Sequence, residues 1–258
     1  MTEDRMRNLG VWVWAVGIVA LGLVGLAFGN LEGGQTAPKA TPDRAVLVAI
    51  ANAFLVVAGA AAPLRGARRW AAAALALWWV VVVTVLMAAS VILLHPDVFG
   101  AWSGAAEVMA VGTAAIIVWA GTGVSGEAAW VRGAQATFGI CAVLFGVAHF
   151  VYMGLTAPLV PRWLPGSGVF WGYATGVAQV AAGVAIATRI AGRLAAVLLT
   201  TMYGLFQLLV HMPLLIGAPG SEFFWSENAL NLTLVGVAWV VAASFQSVPR
   251  ASVSTVSA

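Results

Sequence analysis

The stretch GVAHFVYMGLTAPLVPRWLPGSG, residues 146–168, begins inside an apolar run long enough to be a helix. The run ends at a segment with three prolines, and apolar residues resume at Val169. The first half of the stretch places His149, Tyr152 and Thr156 at spacings of three and seven, which predicts that they share one face of a helix. Its second half carries three prolines around Trp163, and prolines end a helix. We interpret the stretch as the mouth of a membrane-embedded pocket. The simpler alternative is a helix end with a tryptophan at the level of the lipid headgroups.

The composition of the whole chain indicates a membrane protein. The 258 residues are 62% hydrophobic and only 8% charged, whereas about 25% of the residues of a soluble domain are charged. The lipid bilayer is therefore the expected partner. Basic residues sit in short loops rather than in runs interleaved with aromatic residues, so no nucleic acid is expected. Because Cys141 is the only cysteine, redox chemistry would need a bound cofactor or a redox partner protein.

Eight apolar runs are each close to the length that a bilayer requires, which is about 20 residues. They predict an all-α, polytopic transmembrane helical bundle. The predicted spans are Val11–Phe28, Ala45–Ala62, Trp70–Leu94, Ala101–Gly121, Ala134–Leu155, Val169–Thr188, Leu194–Ile216 and Glu227–Phe245.

The distribution of basic residues predicts the orientation. An even number of spans places both termini on one side. The termini and the loops after the second, fourth and sixth spans hold nine of the 12 Lys and Arg residues, and the opposite loops hold only Lys39, Arg44 and Arg162. The positive-inside rule therefore predicts cytoplasmic termini.

The chain also repeats itself with a shift of 124 residues. The shift aligns Gly59 with Gly183 and Arg65 with Arg189, and it needs no gap between residues 56 and 114. We predict two tandem four-helix units, residues 1–124 and 134–247, followed by a disordered tail at 248–258. The second unit has His211 where the first has Met87, so the site is expected in the second unit.

The second half resembles the DoxX-like family of bacterial four-helix membrane proteins. The stretches that carry the resemblance are FGVAHFVYMGLTAPLVPRWLP, FWGYATGVAQVAAGVA, LLVHMPLL and WSENALNLTLVGVAW, within residues 138–243. DoxX-like proteins are associated with membrane redox complexes, and relatives include a subunit of thiosulfate:quinone oxidoreductase. The resemblance implies a bacterial inner-membrane protein in a redox neighbourhood, and it implies no particular reaction.

Polar residues within the apolar spans form one layer, about 6–10 Å inside the outer helix ends at about 1.5 Å per residue. A polar side chain at this depth raises the free energy of the folded protein unless it faces the bundle interior or a water-filled cavity. The predicted ligand-binding residues are His149, Tyr152, Trp163, Tyr203, Gln207, His211, Glu227 and Asn231, with Glu107 and Trp225 as further candidates.

Several functions fit this layer. The leading hypothesis is a redox subunit with an outward-facing pocket for a quinone or a sulfur compound, in which His149 and His211 bond the head group and Glu227 and Tyr152 orient them. Haem or metal ligation by the two histidines is disfavoured, because two ligands are few for zinc or copper. The alternatives are a transporter or channel-like protein, a structural membrane partner, and polar side chains that only hold helices together. The sequence assigns no catalytic residue and no cofactor.

Overall fold

A computed structural model describes residues 3–31 and 43–245, and it shows an all-α, polytopic helical bundle. Eight helices in this part of the chain are long and apolar enough to cross a membrane. We number them α1 (Glu3–Phe28), α2 (Arg44–Ala61), α3 (Arg68–Leu94), α4 (Phe99–Ala120), α5 (Glu127–Val151), α6 (Gly168–Thr188), α7 (Gly192–Gly217) and α8 (Glu222–Ser244). Lys39, Arg250 and the predicted tail at 248–258 lie outside the described residues.

The eight predicted spans each correspond to one helix, but four boundaries, in α1, α5 and α8, were wrong by four residues or more. Helix α1 begins at Glu3 rather than Val11. Helix α8 begins at Glu222 rather than Glu227, because the Ser221 hydroxyl accepts a hydrogen bond from the Phe224 backbone N–H and caps an extra turn. Helix α5 begins at Glu127, seven residues before the predicted start, and it ends at Val151 rather than continuing to Leu155.

The helices form a closed ring in chain order. Each helix packs on its neighbours in the sequence, α1 packs on α8, and α4 meets α8 across the middle. Glycines set the closest approach between α1 and α8: a Cβ on Gly236 would lie 2.2 Å from the Trp14 backbone nitrogen, and one on Gly17 would lie 2.6 Å from the Thr233 Cα. Helix α1 is therefore bound mainly to the last helix rather than to a bundle of its own unit.

The helix boundaries follow the same 124-residue shift as the sequence repeat. The first four helices begin at residues 3, 44, 68 and 99, and the last four begin at 127, 168, 192 and 222. Helix α7 contains a π-helical segment at Gln207–His211, and the longer π segment of α3, Leu77–Ala88, includes the corresponding positions 83–87. The helix starts and the π segments therefore recur with the period of the sequence repeat, and the ring interlocks the two halves of the chain.

Two glycine contacts bring α5 and α6 very close together. Cβ atoms on Gly139 and Gly183 would each lie 2.5 Å from the other residue's carbonyl oxygen. Further along, Gly146 faces Gly176 at a similar separation. This close approach lets His149 on α5 reach polar side chains of α6 directly.

One end of the bundle carries a recurring tryptophan motif. In three loops the indole N–H of a tryptophan near the start of a helix donates to the carbonyl of a proline six residues earlier. The pairs are Trp102 to Pro96 (3.1 Å), Trp171 to Pro165 (2.8 Å) and Trp225 to Pro219 (2.8 Å). We call this side, with loops 95–98, 152–167 and 218–221, the tryptophan end. The side with loops 62–67, 121–126 and 189–191 is the basic end.

Candidate binding site within the membrane

A cavity of about 170 Å³ lies among five helices on the tryptophan side of the bundle. By helix rise, Glu227 and His211 lie about 8 and 9 Å inside the ends of their helices. The side chains around the cavity come from α4 to α8. They are Ser103, Glu107, Phe145, Ala148, His149, Gln179, Tyr203, Phe206, His211, Glu227, Leu230, Asn231 and Leu234.

The cavity brings together most of the residues that the sequence singled out. The predicted residues His149, Tyr203, His211, Glu227, Asn231 and Glu107 all line it. Glu107 comes from α4, in the first half of the chain, so the cavity is shared between the two repeats. Glu227 was expected at the mouth of its helix, and it lies in the second turn instead, because α8 begins earlier than predicted.

Hydrogen bonds fix the protonation pattern of His149. The Thr175 hydroxyl donates to the Trp171 carbonyl (2.8 Å), so its oxygen can accept from His149 Nδ1 at 2.9 Å. The Gln179 amide Nε2 lies 3.3 Å from His149 Nε2 and donates to it. This network assigns His149 as a neutral ring with the proton on Nδ1. Since both ring nitrogens are used within the protein, His149 shapes the cavity wall, and a ligand would have to break a bond to engage it.

Gln207 and Asn231 join α7 to α8 through their side-chain amides. The Asn231 Nδ2 group donates to Gln207 Oε1 at 2.7 Å and to the Tyr203 carbonyl at 3.1 Å. Gln207 Nε2 in turn donates to Asn228 Oδ1 at 2.7 Å. Gln207 belongs to the π segment of α7 and lies behind the cavity wall rather than on it. These amides hold the wall in place.

Two polar atoms of the cavity wall lack a partner. The Tyr203 hydroxyl and Gln179 Oε1 are buried, and neither forms a hydrogen bond within the described residues. Burying such an atom without a partner costs about 1–3 kcal/mol, and buried polar groups are normally satisfied. Both atoms are fully buried behind the surface of the cavity, so a molecule inside it would bond them only after the Tyr203 or Gln179 side chain turned toward it.

Three predicted site residues lie elsewhere. Tyr152 lies in the break after α5 and packs on Phe99, with ring centroids 6.2 Å apart, so the prediction that it shares a helix face with His149 was wrong. Trp163 is 70% exposed in the loop before α6. Trp225 is tied to the Pro219 carbonyl. None of the three lines the cavity.

An apolar cleft adjoins the polar cavity. It measures about 490 Å³, runs between α6 and α7, and shares His149, Phe206 and His211 with the cavity wall. At the tryptophan end it is bordered by the proline-rich segment, and Thr156 lies on its wall. A further apolar pocket of about 320 Å³ continues between α6 and α7 toward the basic end. Cavities that take small molecules typically measure about 300–1,000 Å³ and are mostly apolar with a few polar groups.

Sequence reasoning missed several residues of these walls. Gln179, Thr175, Phe206 and Ser103 were not among the predicted ligand-binding residues. The spacing of Thr175 and Gln179, four residues apart, places both on one face of α6 and was an available signal. Among the described residues no group of three or more His, Cys, Asp or Glu side chains is arranged to hold a metal ion.

Comparison with protein families gave one match, to a family described as a domain of unknown function (DUF8561), over residues 138–243. The matched segment begins within α5 and ends within α8, and it contains the second unit's share of both cavity walls. No curated protein and no solved structure matched the chain.

Proposed function

We propose that this protein is a membrane subunit of a redox system and that it binds a quinone head group in the polar cavity. The observation that carries the proposal is the cavity itself, in which ionisable and amide side chains from five helices converge within the membrane-spanning region. Intramembrane ionisable residues are costly and generally mark functional sites.

Two residues around the cavity, Tyr203 and Gln179, carry unpartnered polar groups of the kinds that this class of ligand bonds. A quinone carbonyl accepts hydrogen bonds, and the Tyr203 hydroxyl can donate one. After reduction, a hydroquinone hydroxyl donates, and Gln179 Oε1 can accept. His211 and Glu227 stand on the same wall and are groups that can exchange protons with a ring oxygen.

The electrons would come from another protein. Cys141 is buried and is the only cysteine of the chain, which excludes a dithiol pair. Haem ligation by His149 and His211 is a weaker proposal, because both nitrogens of His149 already bond Thr175 and Gln179. A sulfur compound remains the second candidate ligand, supported by the resemblance to DoxX-like proteins.

The repeat offers a matched pair of variants that tests the proposal. His211→Ala removes a cavity side chain, and Met87→Ala removes the side chain at the equivalent position of the first unit. The dissociation constant of a short-chain benzoquinone should be measured for both variants in lipid nanodiscs. His211→Ala should weaken binding by roughly 10- to 100-fold, the equivalent of about 1–3 kcal/mol for a lost buried partner.

Met87→Ala should leave the quinone affinity within about twofold of the wild type. Melting temperatures of both variants in the same lipid separate loss of binding from loss of stability. Equal losses of affinity that track the melting temperatures would refute a quinone site in this cavity.

A further inference from the structure

The cleft between α6 and α7 leads from the lipid-facing surface to the polar cavity. Its walls are almost entirely apolar, and at its inner end it meets the polar cavity at His149 and His211. Leu205 and Leu208 of α7 and Val177 of α6 are exposed on the surface that faces lipid. A molecule in the bilayer can therefore reach the cavity without crossing the aqueous loops.

At the equivalent place in the described part of the first unit, two large aromatic side chains pack against each other. Phe54 of α2 packs on Trp78 of α3, with ring centroids 5.2 Å apart. The 124-residue shift aligns these residues with Ala178 and Met202, which line the cleft. The two copies thus differ in side-chain size at two positions that line the cleft of the second unit.

The position of the polar cavity favours one kind of occupant. A phospholipid keeps its charged head group at the water interface, whereas the cavity lies about 8–9 Å inside the helix ends. A charged head group would have to give up its hydration to descend that far. An uncharged polar ring can be hydrogen-bonded by the cavity wall while its chain occupies the cleft.

We infer that the ligand of this site is an isoprenoid-tailed quinone that enters sideways from the bilayer, with its tail held between α6 and α7. This inference rests on the proposed function and adds the tail and the route to it. The residues that hold the tail are Ala178, Met202, Leu205 and Leu209. They act by packing and contribute no hydrogen bond.

Placing the two aromatic side chains of the first unit at the equivalent positions of the cleft tests the inference. The double variant Ala178→Phe with Met202→Trp should fill the cleft. Val184→Phe is the control, because Val184 is exposed on the same helix and lines neither the cleft nor the neighbouring pocket. Two probes are compared in nanodiscs: a dimethoxybenzoquinone with a ten-unit isoprenoid chain, and the same head group with no chain. The double variant should weaken binding of the quinone with the isoprenoid chain by at least about tenfold, and its affinity for the quinone without a chain should stay within about twofold of the wild type. The control should change neither.

Each result has one meaning. If the double variant binds both probes as tightly as the wild type does, the cleft does not hold the tail and the inference is refuted, whereas the proposed quinone site in the polar cavity is unaffected. If the wild type binds neither probe, the proposed function fails, and the inference fails with it.

A second measurement needs no variant and so does not depend on the double variant folding. A photoreactive group at the far end of the isoprenoid chain should label α6 and α7 along the cleft in the wild-type protein. A phospholipid labelled at its acyl end should not label these residues preferentially. Equal labelling of the cleft by both probes would overturn the inference.

Discussion

Replacing Tyr203 with phenylalanine should have opposite effects on stability and on binding. The Tyr203 side chain is only 3% exposed, and its hydroxyl has no hydrogen-bond partner in the described residues. Phenylalanine has nearly the same shape and lacks the hydroxyl. Without ligand, Tyr203→Phe should therefore stabilise the protein by about 1 kcal/mol, the lower end of the cost of an unsatisfied buried group. For a chain of this size, that corresponds to a rise of about 2–4 °C in the melting temperature.

With quinone present the effect should reverse. If the hydroxyl donates to a quinone carbonyl, the variant loses one hydrogen bond, worth about 0.5–1.5 kcal/mol. The dissociation constant should then rise roughly two- to tenfold. The melting temperature and the dissociation constant are to be measured on the same nanodisc sample, with and without a short-chain quinone.

Tyr152→Phe is the matched control, because Tyr152 lies outside the cavity and packs on Phe99. It should leave the dissociation constant unchanged. A Tyr203→Phe protein that melts at a lower temperature without ligand and binds quinone as tightly as the wild type would refute the reasoning.

Two further predictions concern the scaffold. A Cβ on Gly183 would lie 2.5 Å from the Gly139 carbonyl oxygen, so Gly183→Ala should lower the free energy of unfolding by about 1–3 kcal/mol in a chemical denaturation assay, whereas Gly204→Ala, with open space around it, should not lower it. Equal effects of both substitutions would contradict the packing described for α5 and α6. The charge of the loops predicts that reporter fusions after Arg250 and within residues 33–42 report opposite compartments, with the first in the cytoplasm. The same compartment for both fusions would contradict eight spans.

The sequence was sufficient to predict the eight spans because each needs only length and apolar composition. It also identified most of the polar cavity, since polar residues at one depth of a membrane bundle have few places to face other than its interior. Glu107 shows the limit of this reasoning. Its depth in the membrane could be predicted from its position in the span, but its place in a cavity built mainly by the second unit depends on α4 packing beside α5 and α8.

Other features depended on contacts between distant parts of the chain. Gln179 bonds a cavity histidine, whereas Asn52 bonds the Asn30 carbonyl and holds α1 to α2. In the sequence, only Thr175, one turn before Gln179, sets the two amides apart. Both are single amides in apolar helices. The break at Tyr152 was likewise hidden, because the residues on either side of it read as one continuous apolar run. The cleft was hidden as well, because its walls come from α6, α7 and the segment between α5 and α6, which meet only in the folded chain.

The closure of the ring by α1 and α8 has a consequence for how the protein is made. The glycine surface of α1 that receives Thr233 and Gly236 is ready as soon as this helix is inserted, but its partner begins at Glu222. At a synthesis rate of about 5–20 residues per second, roughly 10–40 s pass before α8 leaves the ribosome. During that interval α2 is the main neighbour of α1, and the small residues of α1 that later pack on α8 are exposed. The insertion of α8 is therefore also the step that locks α1 in place, and a chain interrupted before α8 would leave the ring open.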